Sequence, residues 1–298
     1  MTKAKKITLY FNQRNKLSLK HKKYLGQVQW VVKNFLQEDL DTVGDKTTDA
    51  VIHKNKRVKA ALTAKKSGII AGIEEVAWIC KAYGISTKKY IADGQAATKG
   101  DTILTLRGPI KELLIIERTI LNVMQRMSGI ATQTHRIVKK CGDTVLVCPT
   151  RKTHWGLVDK KAVTLGGGGT HRLGLYDFIL IKDNHIAAAG KELPKRIAEI
   201  QQTKEFWEIE AKTEAQVFAF LAYHPDVIML DNFTPTHIKH MIKKIRATHK
   251  TRLPLFEASG GITEKNAAVY ATSGVDIISL GALTHSVTAL DISLNITT

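Results

Sequence analysis

The stretch DFILIKDNH, residues 177 to 185, passes from an acid through four apolar residues straight into a lysine. An apolar run this short, rich in isoleucine and bounded by charges, reads as a strand buried on both faces. Comparable runs follow the same rule: TVLVCPT before it, then FWEIEAK, DVIMLDN, LPLFEAS and VDIISLG after it. They recur about every 20 to 35 residues, with helix-like stretches such as PTHIKHMIKKIRATHK between them, which is the pattern of successive β-α units. So many parallel units fit a closed or nearly closed barrel better than an open sheet.

Upstream of Cys141 the pattern differs. GQVQWVVKNFLQEDL places Val28, Val31, Val32, Phe35 and Leu36 at helical spacing. From Val58 to Pro109 the chain reads as short strands and turns, punctuated by Gly72, Gly94, Gly100 and Gly108. Past Pro109, Leu113, Ile116, Ile120, Val123, Met124 and Met127 define the buried face of a long helix, and Arg118 lies off that face. The expected fold class is α/β, an N-terminal α/β sandwich domain followed by an incomplete parallel α/β barrel. The expected organisation is a basic extension over 1–25, the sandwich over 26–112, the barrel over 113–285, and a last segment, 286–298, that could return to the first domain.

Composition narrows the class of protein. The chain has 298 residues, enough for a sizeable core, and its 44% hydrophobic content suits a globular protein. No apolar run approaches the roughly 20 residues of a membrane span, and the N-terminus lacks the apolar stretch of a secretory signal. Cys80, Cys141 and Cys148 show no zinc or redox spacing, so reduced thiols in a cytoplasm are expected. The net charge is +18, and nine of the Lys and Arg residues precede the first acid, Glu38. A solvated basic tail is the expectation there. The other reading is an arm for nucleic acid, with Tyr10, Phe11 and Trp30 available to stack on bases.

The ends of the strands carry the chemistry. TVLVCPT runs into Arg151 and Lys152, DFILI into Lys182, FWEIE ends in Glu210, and DVIML ends in Asp231. LPLFEA ends in Ser259-Gly260-Gly261 and VDIISL in Gly281. In a barrel these ends share one rim, where active sites are built. Arg151, Lys152, His171, Arg172 and Lys182 form a cationic set suited to carboxylates and phosphates. Glu210 and Asp231 suit ribose hydroxyls or Mg²⁺, and the two glycine turns suit a phosphate. The run Gly166–Gly169 lacks the following Lys-Ser/Thr of a Walker loop; it would let the backbone pass close to a ligand, or serve only as a mobile loop. There is no Ser-His or Cys-His nucleophile pairing, so positioning and electrostatics must do the chemistry.

Eight segments then carry a resemblance: EDL…GDKTTDAVI (38–52), ERTILNVMQRMSGIAT (117–132), TRKT (150–153), GGGGTHRLGLYDFILIKDNHI (166–186), EIE (208–210), MLDN (229–232), EASGGIT (257–263) and SLGALTHS (279–286). Together, and in this order, they resemble quinolinate phosphoribosyltransferase over nearly everything after residue 25. The resemblance implies a homodimer that converts quinolinate and phosphoribosyl pyrophosphate to nicotinate mononucleotide, pyrophosphate and CO2, with Mg²⁺. It implies that Arg118 reaches the partner subunit's site. Arg151, Lys152, His171, Arg172 and Lys182 would hold the carboxylates and the pyrophosphate, with Lys152, Lys182, Glu210 and Asp231 as the catalytic group. Glu210 and Asp231 would serve ribose and Mg²⁺, and Ser259, Gly260, Gly261 and Gly281 the 5′-phosphate. No membrane role is implied, and nucleic acid becomes a poor candidate.

Against that family's commoner pattern, the chain departs after TRKT. His154-Trp155-Gly156-Leu157-Val158 stands where T-P-G-L-R is usual, the stretch to His171 is two residues shorter, and Pro149 stands where an Asp is frequent. The rival reading is a related phosphoribosyltransferase with another acceptor, nicotinate or that of the molybdenum-transport-associated members.

Overall fold

The computed structural model describes residues 1–249 and 253–297, and the chain divides into two compact units. One holds 14–135, 153–167 and 283–298; the other holds 1–13, 136–152 and 168–282. The cut therefore falls elsewhere than at the expected 112/113 boundary. A single helix, Ile110–Cys141, runs through that position, because the breakers Gly108 and Pro109 come just before it. Its predicted face, Leu113, Ile116, Ile120, Val123, Met124 and Met127, is buried.

The first of these units is built on an antiparallel sheet. Its strands are β1 (Arg57–Ala64), β3 (Ser86–Lys89), β5 (Thr102–Pro109) and β12 (Ile292–Thr297), in the order β12-β1-β5-β3, while β2 (Gly68–Ile69) pairs separately with β4 (Ala96–Ala97). Along β1, Ala60, Leu62 and Ala64 are buried and alternate with more exposed residues, the period-two signature of a sheet with one packed face. Leu62 meets Leu294 on one side and Leu104 on the other, so the C-terminal segment does return to this sheet. Helices Lys22–Leu40 and Ile73–Ala82 contribute Tyr24, Val28, Val31, Val32, Val76 and Ile79 to the core. Tyr24 Oη donates to Glu75 Oε1 at 2.6 Å, and Lys161 donates to the same oxygen at 2.6 Å, so two buried donors share one carboxylate oxygen.

In the second unit every apolar run identified in the sequence forms a strand: β6 (Leu146–Pro149), β7 (Ile179–Ile181), β8 (Trp207–Ala211), β9 (Val227–Asp231), β10 (Leu255–Ser259) and β11 (Ile277–Leu280). All are parallel, in the order β6-β11-β10-β9-β8-β7. The first strand thus pairs with the last, and β7 lies at the far edge: a partial barrel, open between β6 and β7.

Residues 1–13 close the barrel at the strand N-termini. Ile7, Tyr10 and Phe11 pack into an apolar cluster with Leu146, Phe178, Phe206, Val227, Leu255 and Ile277, each at or just before the start of its strand. Tyr10 stacks on Phe206, centroids 3.8 Å apart. Lys6 pairs with Asp226 at 2.6 Å and Lys3 with Asp276 at 2.9 Å, using acids that precede β9 and β11. The expected solvated tail is therefore a plug. Apolar residues at 7, 10 and 11 were available in the sequence, but the surrounding lysines masked them.

Candidate active site

The opposite ends of the same strands collect the predicted polar residues. Arg151 and Lys152 follow β6, Lys182 follows β7, Glu210 is the penultimate residue of β8, Asp231 ends β9, Ser259 ends β10 and Gly281 follows β11. Register holds them level: Ser259 pairs with Asp231 on one side and Ser279 on the other.

Charge organises this rim. Lys182 Nζ donates to Glu210 Oε2 at 2.8 Å; the carboxylate is buried, and the ammonium keeps 42% exposure and hence donors for a second anion. Asp231 stands beside Glu210, and burial, then the charge of Glu210, pushes its carboxyl above the usual range. Arg172 is buried, and burial, then the nearby Arg151 cation, pulls its guanidinium below its ordinary value. Two arginines are thus held against their mutual repulsion, an arrangement favourable to a ligand with two negative charges. Lys152 and Arg151 are exposed at the mouth.

The glycine turns are structural necessities. Gly260 has φ +90°, and a Cβ there would lie 2.2 Å from Asn232 Oδ1. Gly261 also has positive φ, +63°, with open space where its Cβ would be. In the 166–169 run, a Cβ on Gly169 would lie 2.5 Å from the Phe11 carbonyl oxygen and 2.8 Å from Cys148 Sγ. The glycine there admits a close approach of the chain to itself.

His171 is held through both nitrogens of its ring. Its Nδ1 accepts the Arg172 N–H at 2.7 Å, and its Nε2 lies 3.2 Å from Glu257 Oε1. Both ring nitrogens are engaged by protein, and through Nδ1 the imidazole orients the Arg172 backbone. Sequence reasoning missed its partners, Glu208 and Glu257, both fully buried. The available signal was strand parity: Glu208 shares a face with Glu210, and Glu257 with Ser259. Burial, then repulsion from Glu257, drives the Glu208 carboxyl well above its usual range. His171, Glu208 and Glu257 bring ligand atoms within 4.8 Å of one another, the one such grouping among the described residues. The positive charge of Lys182 and Arg172 acts on Glu208 in the opposite direction, more weakly than burial and Glu257.

Arg118 is exposed on helix Ile110–Cys141, in the antiparallel-sheet unit, while all the other predicted site residues belong to the barrel unit. The variant loop after TRKT is tightly held. Arg126 donates through Nε and Nη2 to both oxygens of buried Asp159, each at 2.8 Å, and its guanidinium lies over the Trp155 ring at 5.0 Å.

Comparison with known proteins agrees with this geometry. Residues 45–128 match the N-terminal domain and residues 130–295 the C-terminal domain of quinolinate phosphoribosyl transferase. A protein of Methanocaldococcus jannaschii named "Probable nicotinate-nucleotide pyrophosphorylase (carboxylating)" is 42% identical, over 89% of this chain and 96% of its own. A quinolinate phosphoribosyltransferase (decarboxylating) of Nicotiana tabacum is 39% identical, over 90% of this chain and 82% of its own. The solved nicotinate-nucleotide pyrophosphorylase of Francisella tularensis superimposes with a TM-score of 0.83 at 31% identity, covering 91% and 96% of the two chains. This chain belongs to the quinolinate phosphoribosyltransferase family.

Proposed function

We propose that this protein transfers the phosphoribosyl group of phosphoribosyl pyrophosphate to quinolinate with decarboxylation, giving nicotinate mononucleotide, pyrophosphate and CO2 in NAD biosynthesis. The observation that carries the reading is the cation set Arg151, Arg172 and Lys182 at the rim of a partial barrel whose family is fixed by both domains. Quinolinate is a dianion, and paired arginines with a lysine match two carboxylates in number and geometry. Held there, its ring nitrogen is directed at the anomeric carbon of the sugar.

Ser259, Gly260, Gly261 and Gly281 would take the 5′-phosphate through backbone N–H groups, and Lys152 would meet the pyrophosphate at the mouth. Glu210 and Asp231 fit Mg²⁺: they are adjacent carboxylates, hard oxygen donors, and Asp231 is already unfavourably close to a like charge. The ion would supply positive charge for the departing pyrophosphate. After glycosyl transfer the ring nitrogen is cationic and stabilises the carbanion left on the adjacent carbon as CO2 departs, and a proton from solvent then takes the place of the lost carboxylate. Loss of CO2 then needs no general base, in keeping with a rim of cations. The enzyme would act as a homodimer in the cytoplasm, with Arg118 completing the partner subunit's site.

Turnover measured with quinolinate and with nicotinate, at saturating phosphoribosyl pyrophosphate and Mg²⁺, tests the acceptor. Quinolinate should be used and nicotinate left unchanged; equal or faster use of nicotinate would reject it.

A further inference from the structure

Residues 1–13 do more than close the barrel. The Phe11 carbonyl accepts the Thr170 N–H at 2.6 Å, the His171 N–H at 3.3 Å and the Thr170 hydroxyl at 3.2 Å. The Gln13 N–H donates to Thr170 Oγ1 at 3.1 Å. On its other side the same stretch is tied to β6, where the Gly169 N–H donates to the Val147 carbonyl at 2.8 Å. The stretch 168–171 is thus tied by backbone hydrogen bonds to β6 on one side and to the N-terminal segment on the other.

The contact continues past Arg172. Gln13 Nε2 donates to Asp177 Oδ2, and the same oxygen accepts the Leu173 N–H at 2.8 Å. Positions 170–171 and 173 are therefore tied, on both sides of Arg172, to Phe11 and Gln13. Between them His171 has φ +50°, a left-handed conformation unfavourable to a residue with a Cβ. Such a conformation persists when its surroundings over-determine it. Here the surroundings are the Phe11 ring, edge-on to the imidazole at 5.1 Å, and Phe178 stacked on it at 5.7 Å. The imidazole in turn fixes the Arg172 backbone through Nδ1.

We propose that Phe11 and Gln13 are positioning residues for Arg172: the N-terminal segment holds the strained His171 turn and so sets where the buried guanidinium meets substrate. The proposal rests on the reading of Arg172 as a ligand of a quinolinate carboxylate. It gives the basic N-terminus a part in substrate recognition that its composition does not suggest.

The test is a double-mutant cycle on the full-length protein. Steady-state constants for both substrates are measured for Gln13→Ala, Phe11→Ala, Arg172→Lys and the two combinations with Arg172→Lys. Gln13→Ala should lower kcat/KM for quinolinate about 10-fold, as expected for sub-ångström misplacement of a binding group. The KM for phosphoribosyl pyrophosphate should change less than about twofold, since Arg172 is not assigned to it. In the Arg172→Lys background, neither Gln13→Ala nor Phe11→Ala should produce a further loss of that size. Lys3→Ala, which removes only the exposed pair to Asp276, serves as the control and should leave both constants unchanged.

Losses that add in the double variants, fall equally on both substrates, or fail to appear in Gln13→Ala would overturn the proposal while leaving the proposed reaction intact. An unchanged quinolinate kcat/KM in Arg172→Lys would instead remove the functional reading beneath it. Should Phe11→Ala not fold, the Gln13 arm of the cycle decides alone.

Discussion

His171 and Glu257 form the pivot beneath the rim: the imidazole Nε2 meets Glu257 Oε1 at 3.2 Å, with both residues buried. Since Nδ1 accepts from Arg172, the proton given to Glu257 resides on Nε2. Glu257→Gln keeps an acceptor there and removes a repulsion with Glu208, so its stability should lie close to that of the parent protein. Glu257→Leu strands the imidazole N–H, at a cost of about 1–3 kcal/mol. Denaturant midpoints of the two variants check the difference.

Gly169 tests the tightness of the seam. Its replacement by alanine places a Cβ against the Phe11 carbonyl, Leu146 and Cys148, at 2.5 to 2.8 Å, all parts of packed structure. The chain must move apart where it ties 168–171 to the N-terminal segment. Gly169→Ala should cost about 1–3 kcal/mol, the range for overpacking a close contact, and should lower quinolinate use together with stability. Gly261→Ala provides the contrast, because its Cβ meets open space and only the backbone angle of +63° resists it. Thermal melts and kinetics on the pair separate a steric effect from a backbone one.

Asp159 is the buried partner of Arg126 and also accepts from the Thr153 hydroxyl at 2.5 Å and the Trp155 N–H at 3.3 Å. Asp159→Ala leaves a guanidinium with 18% exposure without its carboxylate. Breaking a buried, bidentate pair of this kind costs about 3–5 kcal/mol. Chemical denaturation gives that number directly, and a loss below about 1 kcal/mol would mean the clamp is solvent-screened.

Lys182 is a second cation whose loss should be felt in catalysis. Lys182→Met removes a rim charge and leaves Glu210 buried beside Asp231 without its 2.8 Å partner. Losing one preorganised electrostatic group of this kind lowers kcat/KM about 100- to 1000-fold. Steady-state kinetics measures it, and circular dichroism establishes that the barrel persists.

Much of this was legible in the sequence, for physical reasons. Parallel strands buried on both faces are largely apolar, so each barrel strand announced itself, and the polar or charged residue at or just past its end marked the rim. Lys182, Glu210, Asp231 and Ser259 were located by that rule alone. What escaped was whatever depends on contacts distant in sequence. Glu208 and Glu257 lie inside apolar runs, where an acid looks like an interruption until strand parity turns it inward. Phe11 is separated from His171 by 160 positions, and no local pattern reveals that a basic N-terminus plugs a barrel. His171 looked like another cation in a cationic stretch; only the fold shows both its nitrogens engaged, one by the Arg172 N–H and one by Glu257.

The most direct test of the central claim is a stoichiometry. The purified protein is supplied with Mg²⁺, phosphoribosyl pyrophosphate and quinolinate labelled in the carboxylate adjacent to the ring nitrogen, and released CO2 is measured against nicotinate mononucleotide formed. The account predicts equal amounts of both, with neither formed by Lys152→Ala. Nucleotide formed without labelled CO2, or no product from quinolinate at all, would contradict it.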